Sequence, residues 1–311
     1  MTPSFVTRCT LTAFFLLISA TTLLGQNYKP AIEYHSLMQL NFYENNGGFM
    51  VDNLEIVFPP AGLQKATFII SRGGTTVNSV PLRLDEPTLN TFTAFGMFRP
   101  DAVAGIATIG EPGDYVMSVQ IDGQSITSLP FTLKREASAD PFNPKTTFIR
   151  EGPWRDLAFF SVKSGDEESH LEFCWWTSLR DLPPGTKNPM VTLHLMLGAQ
   201  EIAAARSPVV ITQSDWQYFH QELALPATPV RWMNLPDLTK RDGSYVVVAK
   251  VNGQAFKSYK LEVKGGQVQR LPRNSLEFEP HTDFISPKLV DTKTSSAYTL
   301  RDIFWMTRVA K

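Results

Sequence analysis

The run Gly165-Asp166-Glu167-Glu168-Ser169-His170 holds the densest set of ionisable side chains in the chain, three carboxylates and an imidazole. Such groups ligate divalent cations, but consecutive residues on an exposed turn rarely converge on one ion, so the run reads as a solvated turn. A hydrolase with an unfamiliar site would need a concave pocket gathering at least two of Asp166, Glu168, His170, Asp215 and His220. Familiar settings are absent: there is no Gly-x-Ser-x-Gly, His-Glu-x-x-His, phosphate-cradling glycine loop or Cys-x-x-Cys. His35, His170, His194, His220 and His281 stand singly, and His194 alternates within an apolar run as a satisfied sheet histidine does. Cys174, between Phe173 and Trp175, has no neighbour that would lower its pKa and reads as a small core residue. No catalytic, cofactor or metal residue is assigned.

The aromatic side chains carry the one positive functional hint. If Leu171, Phe173 and Trp175 face a core, strand alternation turns Trp176 to the other side with Glu172 and Cys174. Trp216, Tyr218 and His220 share one face if Asp215 to Leu225 is a strand. If the segment is instead a helix capped by Ser214 with Gln217, it buries Trp216, Phe219, His220 and Leu223. Exposed, Trp176, Trp216 and Tyr218 would contact a flat sugar or a partner protein. Buried, they would fill a contact between domains or lie under the tail, which is the preferred expectation.

A repeat determines how these residues must be positioned. Residues 113–134, GDYVMSVQIDGQSITSLPFTLK, match residues 243–264, GSYVVVAKVNGQAFKSYKLEVK, at seven of 22 positions with a constant offset of 130. Upstream, Phe58-Pro59-Pro60 followed by Ala66 to Ile70 corresponds to Leu182-Pro183-Pro184 followed by Val191 to Leu195. By this alignment the counterpart of Trp176 is Asp52, which argues for an outward position, because Asp is almost never buried unpaired. Each repeat alternates apolar residues with period two, Tyr115, Met117, Val119, Ile121 and Tyr245, Val247, Ala249, Val251, as half-buried strands do. Asp122-Gly123 and Asn252-Gly253 then predict a two-residue type I′ turn. In the returning strands Ile126 and Phe256 fall on the wrong parity, which predicts a bulge or twist near Ser128 and Ser258.

These residues resemble the last hairpin of bacterial immunoglobulin-like and fibronectin-type-III-like domains, which reads Gly-x-Tyr, alternating valines, then Asp/Asn-Gly. Tyr115 and Tyr245 resemble the tyrosine corner, whose hydroxyl bonds back to nearby backbone. Met117 and Val247 stand where antibody domains carry a second cysteine. The resemblance implies a superfold and no activity. The expected fold is all-β: two tandem Ig-like antiparallel β-sandwiches with a C-terminal tail. Strands are expected at Leu37–Tyr43, Phe49–Phe58, Ala66–Ser71, Asn78–Leu84 and Asn90–Phe98. In the second copy they fall at Leu157–Lys163, Leu171–Thr177, Met190–Leu197, Ser207–Ile211 and Gln217–Leu225.

The expected divisions are a signal peptide at 1–25, a sandwich at 27–136, a linker at 137–145, a second sandwich at 146–265 and a tail at 266–311 that docks on the second domain. Arg8 precedes a 14-residue apolar-rich run from Leu11 to Leu24. That run is shorter than the about 20 residues a spanning helix needs, so it reads as an export signal that leaves no transmembrane anchor after cleavage. With 43% hydrophobic residues in 311 the chain is globular, and 29 Lys+Arg against 30 Asp+Glu offer no charge excess for nucleic acid. The expected function is that of an exported, non-enzymatic binding, adhesion or assembly protein with a protein partner or a surface polysaccharide. Its alternatives are a glycan-binding module and the exported hydrolase described above.

Overall fold

The computed structural model describes residues 31–32, 37–38, 40–52, 54–58, 65–84, 88–89, 94–102, 105–137, 146–163, 168–271, 288–289, 298–299 and 301–309. The expected signal peptide, Asp166, most of the expected linker and much of the tail lie outside these residues. The first half contributes β1 (Ala31–Ile32), β2 (Asn41–Tyr43), β3 (Gly48–Met50), β4 (Leu54–Phe58), β5 (Ala66–Arg72), β6 (Thr75–Leu84), β7 (Thr88–Leu89), β8 (Ala94–Pro100), β9 (Ile106–Ala107), β10 (Gly113–Ile121), β11 (Gln124–Ala137) and β12 (Thr146–Glu151). After a 3-10 turn at Pro153–Arg155 come β13 (Leu157–Lys163), β14 (Glu172–Thr177), β15 (Met190–Leu197), β16 (Gln200–Ala205), β17 (Val209–Val210), β18 (Gln217–Leu225) and β19 (Arg231–Trp232). The short helix α1 (Leu235–Thr239) leads to β20 (Gly243–Val251), β21 (Gln254–Lys264), β22 (Gln267–Val268), β23 (Lys288–Leu289), β24 (Tyr298–Thr299) and β25 (Arg301–Arg308).

The fold is all-β and antiparallel, and its two large sheets share one strand order. The first runs β1-β4-β8-β6-β5-β10-β11-β12, the second β13-β14-β18-β16-β15-β20-β21-β25. In the second, β25 also pairs with β13 from Arg301 to Thr307, so eight strands close into a barrel. In the first, β1 and β12 form no such pair among the described residues, which leaves a half-barrel. This corrects the expectation of two Ig-like sandwiches. Period-two alternation requires only that one face of each strand be buried, and the inside of a closed sheet meets that condition as well as the space between two sheets.

The repeated hairpins match in detail. Asp122 and Gly123 have φ of 48° and 80°, Asn252 and Gly253 of 50° and 77°, as a type I′ turn requires. Ile121 pairs with Ala66 and Val251 with Val191, the equivalence read from the sequence. The bulge lies two residues nearer the turn than expected. Val119 faces Thr127 while Gln120 faces Ser125, leaving Ile126 as the extra residue, and Phe256 is extra in the same way. Each bulge turns two consecutive side chains into buried surroundings, Ile126 with Thr127 and Phe256 with Lys257. Tyr115 Oη donates to the Glu111 carbonyl at 2.9 Å and Tyr245 Oη to the Arg241 carbonyl at 2.7 Å, the expected corner in both copies.

The barrel is filled by its own side chains. Phe160, Phe173, Trp175, Val247, Tyr259 and Met306 form one core with their neighbours, and each such side chain withdrawn from water stabilises by about 1.5–3 kcal/mol. Phe159, Cys174, Trp176, Ile303 and Trp305 lie on the opposite parity and join the apolar cluster of the first half together with Trp154 of the connector. A small sheet, β2-β3-β9, lies beside the half-barrel, and Phe148 N of β12 donates to the Glu44 carbonyl at 2.7 Å. Gly47 lets the β2–β3 turn approach: its φ is +63°, and an added Cβ would stand 2.7 Å from Leu133 Cδ2. Sequence reasoning missed β16, since Gln-Glu-Ile-Ala-Ala-Ala has weak strand propensity. Segment 217–225 is the strand and not the capped helix.

Candidate functional site: a cleft between the two units

Two loops approach each other where the halves meet. On one side, Asn41 to Glu44 form β2 and the start of its turn. On the other, Thr212 to Trp216 lead into β18, and Gln217 Oε1 fixes that loop by accepting from Thr212 N at 3.0 Å and Gln213 N at 3.1 Å. The cleft between them has a volume of about 800 Å³.

Arg150 lies at its base and is 2% exposed. Its guanidinium forms a two-pronged pair with Asp215, Nε to Oδ1 at 3.3 Å and Nη2 to Oδ2 at 3.0 Å, while Nη1 donates to the Leu40 carbonyl at 2.9 Å. The rings of Phe42, Phe49 and Trp154 lie 5.4–5.5 Å from the same cation. A planar, permanently charged group with several donors suits this place, where a carboxylate, a carbonyl and ring faces must be satisfied together. Ser214 Oγ donates to Glu44 Oε1 at 2.7 Å across the cleft.

Behind the wall stands a second buried cation. Lys257 is 2% exposed, its ammonium pairs with Asp181 and donates to the Trp176 carbonyl at 3.0 Å, and Nζ lies 4.7 Å from the Trp216 ring centre. Burial pulls its pKa down to about 8 against the opposing pull of the Asp181 carboxylate. Trp216 Nε1 in turn donates to the Arg150 carbonyl at 2.9 Å. The indole is thereby held from its edge and from one face.

Trp216 and Tyr218 both line the cleft, and Trp176 does not. Trp176 is 0% exposed, with its ring 5.2 Å from Tyr218 and 5.9 Å from Phe159. Alternation does turn it out of the barrel, yet that part of the outer wall is covered, whereas Asp52 is exposed. The inference from Asp52 therefore fails, since equivalent positions in the two copies have different surroundings. Of the four groups named for a hydrolase that are among the described residues, Asp215 is the one that lines the cleft, and its carboxylate is held by Arg150. His170 pairs with Glu222 at 2.9 Å, His220 stacks on Tyr218 and Glu168 is exposed. His194 is satisfied on both ring nitrogens, by Glu201 at 2.8 Å and Thr192 at 2.9 Å. Among the described residues no group of three or more His, Cys, Asp or Glu is placed to hold a metal ion, and no helix is long and apolar enough to cross a membrane.

Sequence reasoning missed Arg150, Lys257, Asp181 and Glu44. A signal exists for two of them. Arg150 shares strand parity with buried Phe148, and Lys257 follows the bulge residue where the first copy has Thr127. Comparison of the chain with family models, curated proteins and solved structures finds no match. The site is therefore interpreted from its own chemistry.

Proposed function

We propose that this is an exported, non-enzymatic binding protein, serving adhesion or assembly, and that the cleft between the half-barrel and the barrel holds its ligand. The observation that carries the proposal is the lining: aromatic rings and uncharged polar groups, with Met38 and Leu40 beside them, in a concavity of about 800 Å³ whose charged side chains each already have a partner in the protein. That volume lies within the about 300–1,000 Å³ usual for ligand sites. The Arg8 and Leu11–Leu24 pattern supports export. The two tyrosine corners support kinship of the repeated hairpins with immunoglobulin-like and fibronectin-type-III-like domains.

The test is co-sedimentation of the purified chain with the envelope fraction of cells that produce it. Native protein is expected to sediment, and Gln213→Trp, which fills the cleft from an exposed position, is expected to stay in solution. Equal behaviour of the two proteins would remove the cleft from the account.

A further inference from the structure

Resting on the cleft as the binding site, we infer that its ligand is a neutral oligosaccharide. Arg150 is the one cation lining the cleft among the described residues, and its charge is offset by the Asp215 carboxylate that it pairs with, while Glu44 adds a further negative charge. An anionic ligand would meet Glu44 and Asp215 with no free positive charge to offset them. A lipid-like ligand would need a mainly aliphatic pocket, whereas here the aliphatic lining is Met38 and Leu40, both buried, and the rings of Phe42, Tyr43, Trp216 and Tyr218 stand beside the amides of Asn41 and Gln213. Rings beside amides and carboxylates match a sugar. Its C–H face packs on an aromatic plane, while its hydroxyls donate to carboxylate and carbonyl oxygens and accept from amide N–H groups.

Trp216 is prepared for this role. Its N–H is satisfied by Arg150 and its ring is backed by Lys257, itself fixed by Asp181 and the Trp176 carbonyl. A ring already immobilised loses little rotamer freedom when a ligand stacks on it, and that reduces the entropic cost of binding. Lys257 is in this sense a positioning residue that never touches the ligand.

The experiment is electrophoresis of the full chain through gels containing a neutral glucan, mannan, xylan or galactan, with polygalacturonate as the charged control. Calorimetric titration with oligosaccharides of the retarding polymer follows. Retardation by at least one neutral polymer is expected. Gln213→Ala and Asn41→Ala should each weaken the oligosaccharide at least tenfold without moving the melting temperature. Trp216→Phe, which keeps a ring, should bind more tightly than Trp216→Leu. Retardation by polygalacturonate alone, by no polymer, or equally for native and variant proteins would overturn the proposal. If Gln213→Trp abolishes co-sedimentation with the envelope while no polysaccharide retards the native chain, the cleft binds a protein partner and the sugar assignment alone falls.

Discussion

The half-barrel and the barrel follow the same strand order but are completed differently. In the second half, β13 is seven residues long and pairs along its whole length with β25, which arrives from the far end of the chain. In the first half, the strand in the corresponding place, β1, has two residues, and the last strand, β12, follows directly on β11 in the sheet. Its interior is shared with Trp154 and with the outer wall of the barrel, including Phe159 and Trp176. A repeated sheet can thus exclude water by pairing with itself or by leaning on its twin. The second solution leaves a seam between the halves, and the cleft lies on that seam.

The largest effect should come from the closing strand. Deleting residues 298–311 exposes the edges of β13 and β21 and the apolar residues that β25 covers, so the cooperative unfolding of the barrel should disappear from calorimetry, and a peptide of those residues added in trans should restore it. Native-like melting of the truncated chain would show that the barrel does not depend on closure. Trp176→Ala tests the shared wall. A fully buried indole replaced by Ala should cost about 3–5 kcal/mol in urea unfolding, and a loss under about 1 kcal/mol would mean that the two halves do not lean on each other there.

Lys257 separates the copies by pH, since its counterpart is Thr127. With a folded pKa near 8 against the ordinary 10.5, the unfolded chain binds more protons between those values, so stability should rise with pH across that window. The rise attributable to this residue is about 3 kcal/mol. Urea unfolding from pH 7 to 11 should show it for the native chain and not for Lys257→Met. The smallest effect should be shared equally. Gly123→Ala and Gly253→Ala meet open space but force an L residue to φ near +80°, costing about 1 kcal/mol each by thermal unfolding. Unequal costs would mean that the two turns are not equivalent.

Much of the hairpin code was legible because it is local. Gly-x-Tyr, alternating apolar residues and Asp/Asn-Gly predict strand, corner and turn, and all three appear in both copies. The bulge was legible as a parity error at Ile126 and Phe256, although two residues from its expected place. Trp216 and Tyr218 were legible as neighbours on one face, although Trp216 ends the loop before β18, and the other side of their cleft comes from Asn41 to Glu44, far away in sequence. Arg150 and Asp215 likewise meet only once both sheets are formed.

By itself, then, the chain's order of residues determined the antiparallel strands, the duplicated ribbon and its turns, because these depend on neighbours within a few positions or on one short hairpin. Closure of one copy into a barrel, burial of Trp176 and assembly of the cleft were decided by the tertiary structure. Those outcomes depend on which distant edges find each other, and period-two alternation is the same whichever edges do.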